Sequence, residues 1–330
     1  MASERRFSLG CQDGIALWSA TLTNATTMSA PLLELWSRVG PIIARDFDNL
    51  LEVLQIIGGY MLLGRGAFMS LHARDVVSVL DGCLMEVKDR GKVAVADCAA
   101  LLLEVFPAEG PALLEPLVVR MLQVLLANRE LGDTVVTAFT LVCGRALSLN
   151  PQKFWACVGG LCAAGTQPVA EVLGRLLDVW LPPDKTGRGV SFAAPSAPLL
   201  RRKLHTSAAL ALLGGPPPEL GAGPSEVAML ALPRLGLAVR GVASVVGAEG
   251  SAEGGSSDGV GDSALDGASF RDCDAERRRA LFAADPTHTL DLRGQLEQLL
   301  ATMGAAVGGA VLQQALEEQV GPAILEALKR

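Results

Sequence analysis

Aromatic residues make up only 4% of this 330-residue chain, and Tyr60 is its one tyrosine. Half of the residues are apolar, so the material for burial is aliphatic, and Leu, Val and Ala dominate from Ile15 to Val246. Such a composition suits helix packing. Histidine is scarcer still: His72, His205 and His288 lie far apart, and none belongs to an HExxH pair or a Cys/His ligand cluster. A metal site is therefore not expected, nor is any cofactor. The chain also lacks a run of roughly 18 uninterrupted apolar residues, the length a membrane-spanning helix needs, although its mean hydropathy is +0.37. Asp97 and Glu104 interrupt Val93 to Phe106, and Arg240 interrupts Leu235 to Val246. Both stretches read as buried helices, and membrane insertion is not expected.

An excess of basic charge is missing too. The 28 Lys and Arg face 35 Asp and Glu, for a net charge of −7. This balance opposes binding to a phosphate backbone and suits partners with basic surfaces, so nucleic acid is not expected as a ligand. The first ten residues carry Arg5 and Arg6 without an apolar core behind them, which does not make a signal peptide. Residues 1–10 are expected to be a disordered start. The seven cysteines are an odd number scattered mostly through helical stretches, a pattern of reduced thiols in the cytosol or nucleus.

What the chain does have is helical periodicity. Apolar residues recur at three- and four-residue steps, as in Leu51, Leu54, Ile57 and Met61, or Val95, Cys98, Leu102 and Val105. This spacing predicts helices near Asp13–Thr23, Ala30–Val39, Asp48–Leu63, Ser70–Val87, Lys92–Val105, Pro111–Ala127, Asp133–Leu149, Pro151–Leu161, Pro168–Trp180, Pro198–Leu213 and Ser225–Val246. Asn150 is a cap before Pro151, and Pro182 and Pro183 close the helix that ends at Trp180. Pairing neighbours gives a period of about 40 residues, within the range of HEAT-type repeats. No alternating strand pattern competes. The expected fold is all-α, a superhelical solenoid of HEAT/armadillo-like paired-helix repeats over residues 11–246.

Residues 247–274 break the pattern. Gly and Ser abound, and Glu249, Glu253, Asp258, Asp262, Asp266, Asp272 and Asp274 stand against one base, Arg271. This composition is expected to be a disordered acidic loop. Helical pattern returns at Ala275–Ala284, pauses over Asp285–Thr289 and resumes over Leu290–Leu328, weakened by Gly304, Gly308, Gly309 and Gly321. Residues 275–330 are expected to cap the solenoid.

Two motif matches fail on physical grounds. Gly59 to Gly64 has the glycine spacing of a phosphate loop, but Arg65 and Gly66 stand where Lys and Ser or Thr are required. Gly255-Ser256-Ser257-Asp258-Gly259 spells GxSxG, without the flanking strand and helix that would strain and present its serine. Catalysis is not expected. Trp18, Trp36, Trp155 and Trp180 each sit in an apolar stripe and read as core rather than partner anchors. Two basic clusters, Arg201-Arg202-Lys203 and Arg277-Arg278-Arg279, read as charge that pairs with nearby carboxylates and solvates a helix face.

Several words of sequence then carry a family resemblance. Asp13-Gly14-Ile15-Ala16-Leu17-Trp18 with Thr21-Leu22-Thr23-Asn24, then Pro31-Leu32-Leu33-Glu34-Leu35, Ile56-Ile57-Gly58-Gly59-Tyr60 and Gly110-Pro111 follow in order. Leu176-Leu177-Asp178-Val179-Trp180 precedes a polar loop, after which come Arg201-Arg202-Lys203-Leu204 and Ala208 to Leu213. Asp285-Pro286-Thr287-His288-Thr289-Leu290 follows the arginine-rich helix. Together they resemble the carboxy-terminal part of a nuclear transport receptor of the importin-beta (karyopherin) superfamily. The resemblance implies a receptor segment that binds cargo proteins and phenylalanine-glycine nucleoporins during protein import, located in cytoplasm, nucleus and nuclear envelope. The Ran-binding amino-terminal repeats of such receptors have no counterpart here, so Ran GTPase is expected as a partner only where those repeats are supplied. The candidate contacts with basic cargo are Glu249, Glu253, Asp258, Asp262 and Asp266. The alternative is a general HEAT-repeat scaffold that assembles an enzyme complex.

Overall fold

The computed structural model describes residues 2–45, 47–127, 131–182, 197–252, 273–322, 324 and 326. Every regular element among them is helical. In chain order the α-helices are α1 (Ala2–Asn24), α2 (Ala30–Leu35), α3 (Val39–Arg45), α4 (Leu50–Glu86), α5 (Asp89–Val105), α6 (Gly110–Leu113), α7 (Glu115–Ala127), α8 (Asp133–Leu149), α9 (Pro151–Gly165) and α10 (Val169–Trp180). They continue with α11 (Leu199–Gly214), α12 (Pro224–Ala231), α13 (Leu235–Ala252), α14 (Cys273–Ala283), α15 (Leu292–Val307) and α16 (Gly309–Val320). The fold is therefore all-α, as the periodicity predicts.

Helix ends follow local chemistry. The Asn150 side chain accepts from the Lys153 amide at 3.0 Å, which caps α9 and satisfies one of its orphan donors. Gly308, at φ 92°, separates α15 from α16 where the sequence pattern suggests one continuous stretch. The single helix expected over Ser225–Val246 is interrupted at Leu232–Arg234, which is 3₁₀. Pro233 lacks the amide needed to continue the ladder. Conversely, α4 joins the two helices expected on either side of Gly64, through a break at Arg65 with φ 43° and ψ −134°. Gly64 is required there, since a Cβ would sit 2.5 Å from the Phe68 Cβ.

The domain expectations meet three differences. The backbone of residues 2–10, expected to be disordered, is helical within α1; Ala, Glu, Arg and Leu all favour helix there and no proline intervenes. Helix α13 runs to Ala252, past the expected start of the acidic loop. Residues 275–330 do not act as one cap, because the chain divides into a first unit of Met1–Leu117 with Asp266–Asp285 and a second of Val118–Leu265 with Pro286–Arg330. Helix α14 thus belongs to the first unit, and α15 and α16 to the second.

The first unit has α4 at its centre, against α1, α3, α5, α6 and α14. Its core is unusually aromatic for this chain. Tyr60 is fully buried; its hydroxyl receives the Trp18 Nε1 hydrogen at 3.0 Å and donates to the Leu32 carbonyl. Trp36 stands edge-on to Tyr60 and Phe68, with ring centroids at 5.3 and 4.8 Å. Such arrangements add about 0.5–1.5 kcal/mol per pair beyond area burial.

The second unit is organised around α11, packed by α8, α10, α12, α13 and α15. Val172, Leu173, Leu176, Leu177 and Trp180 form the buried stripe of α10, whereas α11 is buried nearly all round, from Arg202 to Leu210 and at Leu212 and Leu213. Close approach fixes its seat: a Cβ at Gly144 of α8 would lie 3.0 Å from the Ala208 Cβ. The stretch Pro224–Gly250 is long and apolar enough to cross a membrane by length and composition alone. It is broken at Leu232–Arg234, and Leu235, Val239, Val242 and Val245 of α13 are buried in this unit. These features fit a core helix.

Candidate functional site

Of the five acidic residues expected to meet a basic partner, Glu249 lies in α13; Glu253, Asp258, Asp262 and Asp266 fall outside the described residues. Glu249 is already engaged. Its Oε1 receives a hydrogen bond from Lys203 Nζ at 2.7 Å, and the same ammonium donates to the His288 carbonyl at 2.8 Å. Lys203 is 5% exposed. A buried ammonium needs such acceptors, since burying it unpaired would cost several kcal/mol.

The neighbouring base turns inward as well. Arg202 is buried and donates through Nη2 to the Ser244 carbonyl at 2.9 Å and to Ser244 Oγ at 2.5 Å. Arg201 is exposed. The cluster read from sequence as a solvated face therefore splits, one residue facing water and two tying α11 to α13 and to the 3₁₀ turn Pro286–Thr289. Ser207 continues the polar seam and donates to Gln295 Oε1 at 2.9 Å. His205 is buried on the same helix, and desolvation lowers its pKa to about 3.

The second basic cluster divides in the same manner. Arg277 donates to three carbonyls at the end of α1, those of Ala25 at 2.8 Å, Leu22 at 3.0 Å and Thr23 at 3.1 Å. Arg278 Nε donates to Asp274 Oδ2 at 2.6 Å, and Arg279 is exposed. Free carbonyls and the negative end of the helix dipole make a helix C-terminus a good seat for a guanidinium.

Little else here has the shape of reactive chemistry. Among the described residues, no group of three or more His, Cys, Asp or Glu is placed to hold a metal ion. Cys83, Cys98, Cys143, Cys157, Cys162 and Cys273 are free thiols; burial pushes Cys83 up to about 11 and Cys98 to about 12, away from thiolate reactivity. His72 sits 3.3 Å from Asp75 and beside the Trp36 and Phe68 rings. The phosphate-loop look-alike at Gly59–Gly64 is a run of helix within α4, and the GxSxG string lies outside the described residues. All four tryptophans are buried, the core role their stripes suggest. Sequence reasoning did not foresee a cleft of about 390 Å³ in the second unit, walled by Ser207, Leu210, Gln295, Gln298, Leu299 and Thr302 among others. It is large enough for a small ligand, yet its walls are neutral and carry no titratable side chain.

Helices packed on one another and joined by buried polar ties define a helical-repeat protein. The chain belongs to the family described as Importin-11-like, TPR repeats, whose model matches residues 2–330. That description names TPR where the sequence period points to HEAT; both are helix-pair repeats of neighbouring length. The chain is similar to Importin-11 of Homo sapiens, 26% identical over 202 residues that cover 61% of this chain and 20% of that protein. It is also similar to Importin-11 of Mus musculus, 25% identical over 202 residues with the same coverage. The chain thus spans about a fifth of the length of these relatives. No solved structure matches it.

Proposed function

We propose that the chain is a segment of a nuclear transport receptor that takes part in protein import by binding cargo proteins and phenylalanine-glycine nucleoporins. The observation that carries this reading is the family match over residues 2–330. The receptor makes and breaks no bond; its work is partner exchange, in which ligands that share one scaffold lower each other's affinity reciprocally. It acts in cytoplasm and nucleus and passes the nuclear envelope. Ran GTPase is a partner where amino-terminal repeats are joined to this segment. The net charge of −7 supports basic cargo rather than nucleic acid. Glu253, Asp258, Asp262 and Asp266 are the better candidates for that contact, because Glu249 is held by Lys203.

The test is capture from nuclear extract on the immobilised chain, with mass spectrometry of what is retained. Recovery of nucleoporins and basic nuclear proteins, together with enrichment of the tagged chain at the nuclear rim, is the expected outcome. Co-purification of one enzyme in fixed stoichiometry, with no rim signal, would overturn the transport reading in favour of an enzyme-assembling scaffold.

A further inference from the structure

Helix α4 is broken at Arg65, whose backbone lies at φ 43° and ψ −134°. Glycine adopts such a conformation freely, whereas any residue with a Cβ is strained there. The glycines on either side differ. Gly64 is closed in, since a Cβ would sit 2.5 Å from the Phe68 Cβ, while a Cβ on Gly66 would meet nothing within 4 Å. The strained position itself carries a long cation, on the exposed run Arg65-Gly66-Ala67. A third glycine would serve the turn better, so the turn does not account for the arginine. Strain of this kind at a surface position points to a use for the side chain.

That use lies outside the fold. Among the described residues the Arg65 guanidinium has no hydrogen-bond or ion-pair partner, whereas Arg202, Arg234 and Arg277 each reach another element. Arg74 is exposed too, but it lies in an unbroken part of α4 between Ala73 and Asp75. Arg65 combines exposure, free donors and two neighbours without a Cβ. An enzyme pocket can close on the whole guanidinium of such a residue and bring its rim against the backbone. Gly-Arg-Gly is for this reason a substrate pattern of protein arginine methyltransferases, and Gly64-Arg65-Gly66 spells it.

We propose that Arg65 is a methylation site, modified by a protein arginine methyltransferase with S-adenosylmethionine as the methyl donor. The guanidinium gives a proton to a carboxylate of that enzyme, which frees a lone pair on an Nη. That pair forms the new N–C bond to the sulfonium methyl while the C–S bond breaks, and S-adenosylhomocysteine leaves with the bonding electrons. The product is a methylguanidinium of unchanged charge that has lost an N–H donor. A two-bond grip on a carboxylate needs those donors, so the modification weakens such contacts at this surface without altering its field. The site is independent of the transport reading.

The experiment incubates the full chain with a type I protein arginine methyltransferase and S-adenosylmethionine. Tandem mass spectrometry then locates the methyl groups, because Gly187-Arg188-Gly189 repeats the pattern outside the described residues. Mono- and dimethylarginine at Arg65, with none at Arg74, is the expected result. Gly66→Ala, whose new Cβ has open space around it, is expected to slow methylation of Arg65 about tenfold. A folded chain left unmodified at Arg65, under conditions where a synthetic peptide of residues 60–70 is methylated, would overturn the proposal. Equal methylation of Arg74, methyl groups on Arg188 alone, or an unchanged rate in Gly66→Ala would each do the same. The wild-type measurement needs no variant and decides the matter if Gly66→Ala fails to fold.

Discussion

The two units solve the problem of a central helix differently. In the first, α4 is surrounded by rings: Trp18, Trp36, Tyr60 and Phe68 meet edge-on or stacked, and one hydroxyl serves as both acceptor and donor among them. In the second, α11 is enclosed with Arg202, Lys203, His205, Thr206 and Ser207 inside, and its stability depends on finding acceptors for those groups. Aromatic area is gained wherever the rings pack, whereas buried polar groups stabilise only when each is satisfied. The first unit should therefore tolerate changes of solution conditions, and the second should register them.

Removing Trp36 is the harshest way to break this contrast. Trp36→Ala strips an edge-on partner from Tyr60 and Phe68 and should cost about 3–5 kcal/mol, read as a fall in the urea midpoint. A loss below about 1 kcal/mol would mean that the rings fill space without holding the unit. Acid should act on the other side. Unfolded His205 takes up a proton near its usual value of about 6.5, but in the folded chain burial delays this until about 3. The unfolded state therefore binds more protons as pH falls through that window. Stability contributed by neutral His205 is intact above pH 6.5 and is reduced by about 2 kcal/mol at pH 5. His205→Gln should flatten the difference between melts at pH 7.5 and pH 5.

A subtler change separates ring packing from hydrogen bonding. Tyr60→Phe keeps the stack and removes both bonds of the hydroxyl, leaving the Trp18 N–H and the Leu32 carbonyl without this partner. The expected cost is about 1–2 kcal/mol in equilibrium unfolding, well under that of Trp36→Ala. Smallest of all is Asn150→Ala, which uncaps α9 for about 1 kcal/mol, with Asn150→Gly recovering most of it. Calorimetry on the two variants side by side would show whether the cap acts through its side chain.

Much of this architecture is legible in the residues. Helix α8 begins and ends at Asp133 and Leu149 as its periodicity predicts, because Gly132 and Asn150 flank an uninterrupted apolar stripe. The cap at Asn150 is legible for the same reason, being local. The α4 break at Arg65 is foreshadowed by glycines on either side. What escaped was non-local. An arginine triplet reads the same whether it faces water or seals another helix 250 residues away, so the placement of α14 could not be read from its own composition. Nor could Arg202 and Lys203 be recognised as interior groups, since a pattern that counts charged residues as surface has no way to register a serine carbonyl waiting on α13. The candidate site was legible only as an acidic composition; of its five candidate contacts Glu249 alone is described, and there as a structural partner.

The double grip of Lys203 on Glu249 and His288 has a bearing on how this protein tolerates change. One ammonium holds the chain just before it leaves α13 and just after it returns from α14, so the repeats on either side keep their register whatever lies between. Lys203→Ala would therefore release Glu249 and the His288 carbonyl together, so one substitution would loosen the chain on both sides of α14 at once.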